Sequence, residues 1–227
     1  MPGQRIDLHM HSTFSDGEII PGEILRRAAA LGFEGLAITD HCDFSNVEII
    51  VPAMVRFARE QAPHYPLKFL VGVELTHTPP TLIARLARRA RELGAQLVVV
   101  HGESIVEPVK NGTNFAAAEC KDVDILAHPG LLEHRTAEMA AQNGVYLELS
   151  GRSGNCLGNG RVANLARMMG AKLLVNSDAH GPSDLFGQAH ASAVAAGAGL
   201  GEEEVQQALI TNPSELVQRC LERYPLS

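Results

Sequence analysis

No stretch of this 227-residue sequence offers the about 20 consecutive apolar residues that a membrane-spanning helix requires. Residues 1–7 lack the apolar core of a secretory signal, so a cytoplasmic protein is expected. Cysteine is scarce: Cys42, Cys120, Cys156 and Cys220 form no C-x-x-C pair, which argues against a thiolate zinc site and against a disulfide framework. They are expected to be mostly small buried hydrophobes, Cys42 included although it follows a candidate ligand. Positive charge is also short, with 19 Lys and Arg against 26 Asp and Glu and a net charge of −7. A basic stripe for nucleic acid is therefore not expected. A small anionic substrate remains compatible, because bound metal ions reverse the sign of charge locally. No Pro- or Ser-rich linker and no low-complexity tract divides the chain, so residues 1–227 are read as one domain.

Hydrophobic residues at 45% and charged residues at 20% suit a soluble globular protein. Seven short runs rich in Val, Ile and Leu, at residues 5–9, 35–39, 69–74, 96–101, 124–128, 145–149 and 172–176, read as strands buried on both faces. Helical periodicity separates them at 23–31, 81–93, 131–143, 161–169, 202–210 and 214–223, with Gly32 and Gly94 as stops. The stretch 103–119 reads as the longest irregular segment, a candidate lid or substrate loop. Alternating strands and helices predict an α/β protein with parallel pairing.

The placement of polar residues selects a barrel over an open sheet. Of the ten histidines, six fall in or just after the end of an expected strand. His9 and His11 share a face at the i, i+2 spacing of a strand, followed by Ser15-Asp16-Gly17. Thr39-Asp40-His41, Glu74, His101, His128-Pro129-Gly130 and Asn176-Ser177-Asp178-Ala179-His180 end further strands. Such groups converge only if the strand ends face one another around a ring, as at the carboxyl end of a barrel. Imidazole and carboxylate without thiolate suit zinc, iron or manganese. Nine candidates (His9, His11, Asp16, His41, Glu74, His101, His128, Asp178, His180) exceed the about three protein ligands of one catalytic zinc and suffice for two or three ions. His64 and His134 read as exposed and His190 as a helix-face residue; His77, three beyond Glu74, can approach the site.

These H-x-H, S-D-G, T-D-H, Glu, His, H-P and S-D-A-H elements resemble, in order, the pattern of the PHP superfamily of polymerase and histidinol phosphatase domains. The resemblance implies a distorted seven-stranded (β/α) TIM-like barrel and a trinuclear centre of divalent zinc, iron or manganese. It implies that all nine candidates are ligands, with Glu74 bridging. It also implies a phosphoesterase, with histidinol phosphate or a similar small monoester as substrate.

Three divalent ions against ionised Asp16, Glu74 and Asp178 would leave about +3 at the centre and draw in an anionic ester. A metal-activated hydroxide would then attack phosphorus in line. Candidates for protonating the leaving group are a metal-site water, Asp178 and His180. Arg152, in the glycine-rich run after the sixth strand, and Lys110, in the long loop, are candidate substrate-phosphate ligands. Two rivals stand beside this reading. An amidohydrolase-type C–N or C–O hydrolase also uses H-x-H on a first barrel strand, and a barrel of this kind could serve as a non-catalytic module. The T-D-H element and the Asp178/His180 pair favour the phosphoesterase. Oligomeric state leaves no mark in the sequence.

Overall fold

Aliphatic runs become strands here because both faces are covered, one by the barrel interior and the other by helices. The computed structural model describes residues 5–226; residues 1–4, on which the N-terminal reading partly rests, lie outside them. The strands are β1 (Arg5–Asp7), β2 (Phe33–Ile38), β3 (His41–Cys42), β4 (Lys68–Leu75), β5 (Leu97–His101), β6 (Ile125–Ala127), β7 (Tyr146–Ser150) and β8 (Leu173–Asn176). They pair in the order β1-β2-β4-β5-β6-β7-β8, and the pairings are parallel. The two-residue β3 resumes the path of β2 and pairs with the same partner, β4, so the two form one interrupted stave. The result is a single-domain, nearly closed α/β barrel of seven staves, as the sequence leads one to expect.

The helices are α1 (Pro21–Ala30), α2 (Val47–Glu60), α3 (Ile83–Leu93), α4 (Thr113–Glu119), α5 (His134–Asn143), α6 (Asn159–Met169), α7 (Gln188–Gly197), α8 (Glu202–Gln206) and α9 (Asn212–Arg223). Three of them go beyond the sequence reading. Helix α2 carries Pro52 and a β-branched run that disguise it, yet Val47, Ile50, Val51, Met54 and Val55 bury one helical face. Helix α4 lies within the segment read as irregular, and only 103–112 remains a loop. Helix α7 is alanine-rich and has too weak an apolar stripe to announce itself.

Alternation along the strands turns Leu70, Leu97, Val99, Ile125, Tyr146 and Leu174 into the barrel, where they pack with Leu216, Val217 and Cys220 of α9. Helix α9 closes the amino end. Asn212 Nδ2 donates to Leu173 O at 2.8 Å, Arg219 Nη2 to Asp124 Oδ1 at 3.2 Å, and Gln96 Nε2 to Tyr224 O at 3.0 Å. With that end plugged by apolar side chains, the polar strand ends gather at the other. Cys42, Cys120 and Cys220 are buried as expected, and burial raises their thiols above the ordinary range.

The seam between β8 and β1 is closed differently from the other joints. Near the carboxyl end the backbones meet: Met10 bridges Ala179, His11 N donates to Ala179 O at 2.8 Å, and Asp178 N donates to His9 O at 3.0 Å. Below, side chains span the gap. Leu8 N donates to Asn176 Oδ1 at 2.9 Å, Arg5 Nη1 to Val175 O at 2.7 Å, and Ser177 N to Asp7 Oδ1 at 3.2 Å. Arg5 Nη2 pairs with Asp7 Oδ2 at 2.8 Å, and both residues are buried. Removing one partner of such a pair leaves an uncompensated buried charge, so Asp7→Ala should destabilise the protein by about 3–5 kcal/mol in urea unfolding. The double change Asp7→Leu with Arg5→Met should cost clearly less. Equal losses would show that the seam does not depend on the pair.

Candidate metal centre

All nine expected residues meet at the carboxyl end of the barrel. Their nitrogen and oxygen atoms form four overlapping groups, each within 4.8 Å: His11/Asp16/His41/His180, His9/Glu74/His128, His9/His11/Asp178 and His41/Glu74/His101. Glu74 lies between them. Its Oε1 is 3.3 Å from His9 Nε2, 3.1 Å from His101 Nδ1 and 3.6 Å from His128 Nε2. Its Oε2 is 2.6 Å from His41 Nδ1 and 3.6 Å from His11 Nε2. One carboxylate thus addresses a different set of imidazoles with each oxygen, which is the geometry of a bridge. Asp178 completes the far side, with Oδ1 3.3 Å from His11 Nε2 and Oδ2 3.9 Å from His128 Nε2.

The cluster has a buried end and an open end. His9, Glu74, His128 and Asp178 are buried, whereas the Asp16 side chain is 55% exposed and His41 and His180 are partly exposed. Asp16 Oδ2 lies 3.3 Å from His180 Nε2 and 3.6 Å from His41 Nε2. The loop that carries Asp16 is folded around Asp40, whose carboxylate accepts Ser12 N at 2.7 Å, Ser12 Oγ at 2.8 Å and Ser15 Oγ at 2.8 Å. Gly17 is required in that turn, since a Cβ there would lie 2.4 Å from His11 O. His128 and Asp178 adopt positive φ, 27° and 54°, unusual for non-glycine residues and more so for one before proline. Strain of this kind persists where the surroundings over-determine a functional geometry.

Whether these residues fit metal ions is decided by their unmet polar atoms. His9 Nε2, His11 Nδ1 and Nε2 and His128 Nδ1 are buried without a hydrogen-bond partner, while Glu74 Oε2 and His101 Nε2 are buried in ion-pair contact with His41 Nδ1 and Glu107 Oε2 but without a well-directed hydrogen bond. Buried polar atoms are ordinarily paired, and lone pairs pointing at one another are reconciled by a cation. The donor set fits divalent ions of the zinc, iron and manganese type.

The electrostatics agree. Against burial, Glu148, Glu74 and Asp178 raise His9 well above its usual pKa. Against burial, Glu74 and Asp16 raise His41 to about 10, and Glu74 and Glu107 raise His101 to about 9. Burial prevails at His11, which falls to about 4. Burial would raise Glu74 and Asp178, but the surrounding histidines hold both well below the usual carboxylate range.

Two carboxylates at the cluster were not foreseen. Glu148 Oε2 lies 2.7 Å from His9 Nδ1, and Glu107 Oε2 lies 3.0 Å from His101 Nε2. A charged residue at an inward position of a buried strand was the available signal for Glu148. Glu107 lies on the 103–112 loop, and nothing local marks it. Thr76 Oγ1, 2.6 Å from His41 Nδ1, was equally unmarked.

Of the two expected phosphate ligands, Arg152 is at the cluster, with Nη1 2.7 Å from His180 Nδ1 and 3.1 Å from Asp178 O. It lines a cavity of about 540 Å³ with His180, Asp184, Phe186 and His190. Lys110 is exposed on the loop, where its carbonyl accepts from Thr113, and the ion pairs among the described residues do not include it. His64 and His134 are exposed as expected, and His190 lies on helix α7, as expected, with its side chain exposed. His77 is exposed at the rim, its ring 5.5 Å from that of His101.

Metal binding must displace the protons that these carboxylates hold on imidazole. Zinc added to metal-free protein near neutral pH should therefore release about two or three protons per chain, read from the buffer dependence of the binding heat. Raised imidazole pKa values also stabilise the metal-free fold below about pH 6.5, the ordinary value. That stabilisation should be lost as pH rises through about 9 to 10, lowering Tm unless zinc is present. Zinc binding without proton release would contradict this electrostatic account.

Comparison with known proteins accords with the site. Residues 7–116 match the PHP domain profile. An uncharacterized protein of Methanocaldococcus jannaschii is 46% identical over 217 residues, spanning 95% of this chain and 99% of that protein. Ribonuclease P protein component 3 of Methanosarcina barkeri is 28% identical over 220 residues, 90% of this chain and 85% of that protein. Among solved structures, a chain of archaeal ribonuclease P with mature tRNA aligns with a TM-score of 0.74 at 16% identity, covering 96% of this chain and 92% of that chain. Histidinol phosphate phosphatase from Lactococcus lactis, complexed with zinc, L-histidinol and phosphate, aligns at 0.58 with 13% identity, covering 96% and 94%. At such identities the structures attest the barrel alone. The profile match falls on the strand ends that supply His9, His11, Asp16, His41, Glu74 and His101, and the chain belongs to the PHP domain family.

Proposed function

We propose that the protein is a metal-dependent phosphoesterase that hydrolyses a small-molecule phosphate ester, such as histidinol phosphate or a similar monoester. The observation that carries this reading is a cluster of unmet imidazole and carboxylate atoms around Glu74 with one guanidinium, Arg152, at its open edge. The phosphatase with the same fold supports the class of reaction. Bound in the four groups, roughly two to three divalent ions of zinc, iron or manganese would supply Lewis acidity toward phosphoryl oxygens and a nucleophile from water at neutral pH.

The chain's own residues do the rest. Glu74 and Asp178, held ionised, are suited to holding cations rather than to giving up a proton. His180, the other side chain considered as leaving-group acid, is likewise suited to holding a cation at the open end of the cluster. When its Nε2 keeps a lone pair for the site, Nδ1 carries the proton and donates to Asp178 O at 2.9 Å. Arg152 then cannot donate to that nitrogen, and beside its bond to Asp178 O its fork keeps donors for non-bridging phosphate oxygens. The cavity beyond Arg152, walled by Phe186 and His190, gives room for the organic part of the ester.

A second reading has a specific basis. Likeness to ribonuclease P protein component 3 over most of both chains favours a barrel that works beside nucleic acid, despite the acidic balance. In that case the protein should bind structured RNA in gel-shift assays and cleave neither kind of small ester.

Protein purified without chelator should contain roughly two to three divalent ions per chain and turn over a chromogenic phosphomonoester or phosphodiester. Full metal loading with neither ester cleaved would sink the phosphoesterase reading. Arg152→Ala should raise KM about tenfold or more, as loss of a charge-assisted hydrogen bond worth about 1.5–3 kcal/mol requires, with metal content unchanged. An unaltered KM would remove Arg152 from phosphate binding.

A further inference from the structure

Glu148 is a buried acid that the scheme above leaves without a task. It projects from β7 into the barrel, between Tyr146 and Ser150 in the alternation, and is 0% exposed. A buried carboxylate is costly unless something answers its charge. The buried basic side chain, Arg5, is engaged with Asp7 at 2.8 Å. Glu148 Oε2 instead meets His9 Nδ1 at 2.7 Å and accepts from Asn176 Nδ2 at 3.0 Å, while Oε1 has no partner.

We propose that Glu148 is a positioning residue of the metal centre, fixing His9 in the tautomer that turns its Nε2 lone pair toward Glu74 and Asp178. A neutral imidazole has one donor nitrogen and one acceptor. A carboxylate at Nδ1 demands the proton there, which leaves Nε2 an acceptor. That Nε2 lies 3.3 Å from Glu74 Oε1 and 3.7 Å from Asp178 Oδ1, three acceptors that a cation reconciles. Asn176 holds Glu148 in turn. Its Oδ1 receives Leu8 N across the seam, so its amide nitrogen must face the carboxylate. The line from seam to Asn176, Glu148 and His9 ties closure of the barrel to the direction of one ligand atom. His11 and His128 have no such support, since their Nδ1 atoms are unpartnered. Partners of this kind, one bond removed from the ion, commonly carry 10- to 100-fold in metal affinity.

This role rests on the metal centre of the proposed function and is independent of which bond that centre cleaves. Metal-free wild type, Glu148→Gln and Glu148→Ala would be titrated with Zn2+ against a chromophoric chelator, with circular dichroism on the same samples. Gln preserves the volume but can also donate to Nδ1, so it permits the other tautomer. Both variants should bind the zinc of the His9-containing groups about 10- to 100-fold more weakly. Zinc at His11/Asp16/His41/His180 should keep its affinity, with the dichroism unchanged. Wild-type affinity for every ion in both variants would overturn the proposal. So would an equal loss of every ion or loss of fold in both, which would make Glu148 merely structural. Selective zinc loss in the variants with no ester hydrolysis by wild type would sink the phosphoesterase reading alone. No zinc binding by wild type would sink both.

Discussion

The joint between β8 and β1 governs the site, because the segments that continue the two strands beyond it carry four of the nine candidate ligands. His9 and His11 stand on one side, Asp178 and His180 on the other. Among the described residues, the backbones pair directly at the carboxyl end, through Met10 and Ala179. Lower down, Arg5, Asp7 and Asn176 replace the missing ladder with side-chain bonds, all of them buried. A seam of this kind satisfies backbone groups that would otherwise be stranded, and it sets the spacing across which Glu74 and Asp178 face the histidines.

Charge in the centre is graded from inside to outside. At the buried end, imidazoles and carboxylates are removed from water and compensate one another; at the open end Asp16 reaches solvent and Arg152 closes the rim. Glu148 and Glu107 add two carboxyl groups to the three, Asp16, Glu74 and Asp178, considered from the sequence. The positive φ of His128 and Asp178 belongs to the same picture, since these residues are held by ligand-like geometry against their backbone preference.

Proteins with the names phosphatase and ribonuclease P share this barrel, so the fold leaves the substrate undecided. What differs within such a barrel is the rim. Here the rim consists of the 103–112 loop with Glu107, the glycine-rich turn with Arg152, and the cavity wall of Phe186 and His190. Ser104 Oγ bonds Asn155 Oδ1 at 2.6 Å and Asn155 Nδ2 bonds Asp178 Oδ2 at 3.0 Å, so both loops are tied to the metal centre itself.

The alternation of strand and helix, the seven staves and the nine candidate ligands were legible in the sequence, because strand spacing and strand-end position are local properties. His9 and His11 needed only a two-residue period, and Asp178 and His180 the same. Helix α2 was hidden by Pro52, whose cost is met by the face it buries, a tertiary matter. Glu148, Glu107 and Thr76 escaped because a second carboxylate or hydroxyl beside an imidazole depends on how the strands and the 103–112 loop bring together residues 139, 6 and 35 positions apart in sequence. Arg152, in its glycine-rich run, and Lys110, in the long loop, both read as candidate phosphate ligands, Arg152 before Lys110. The closed barrel alone turned Arg152 onto His180 and left Lys110 in solvent, because which loop leans over a ring of strand ends is decided by how the ring closes.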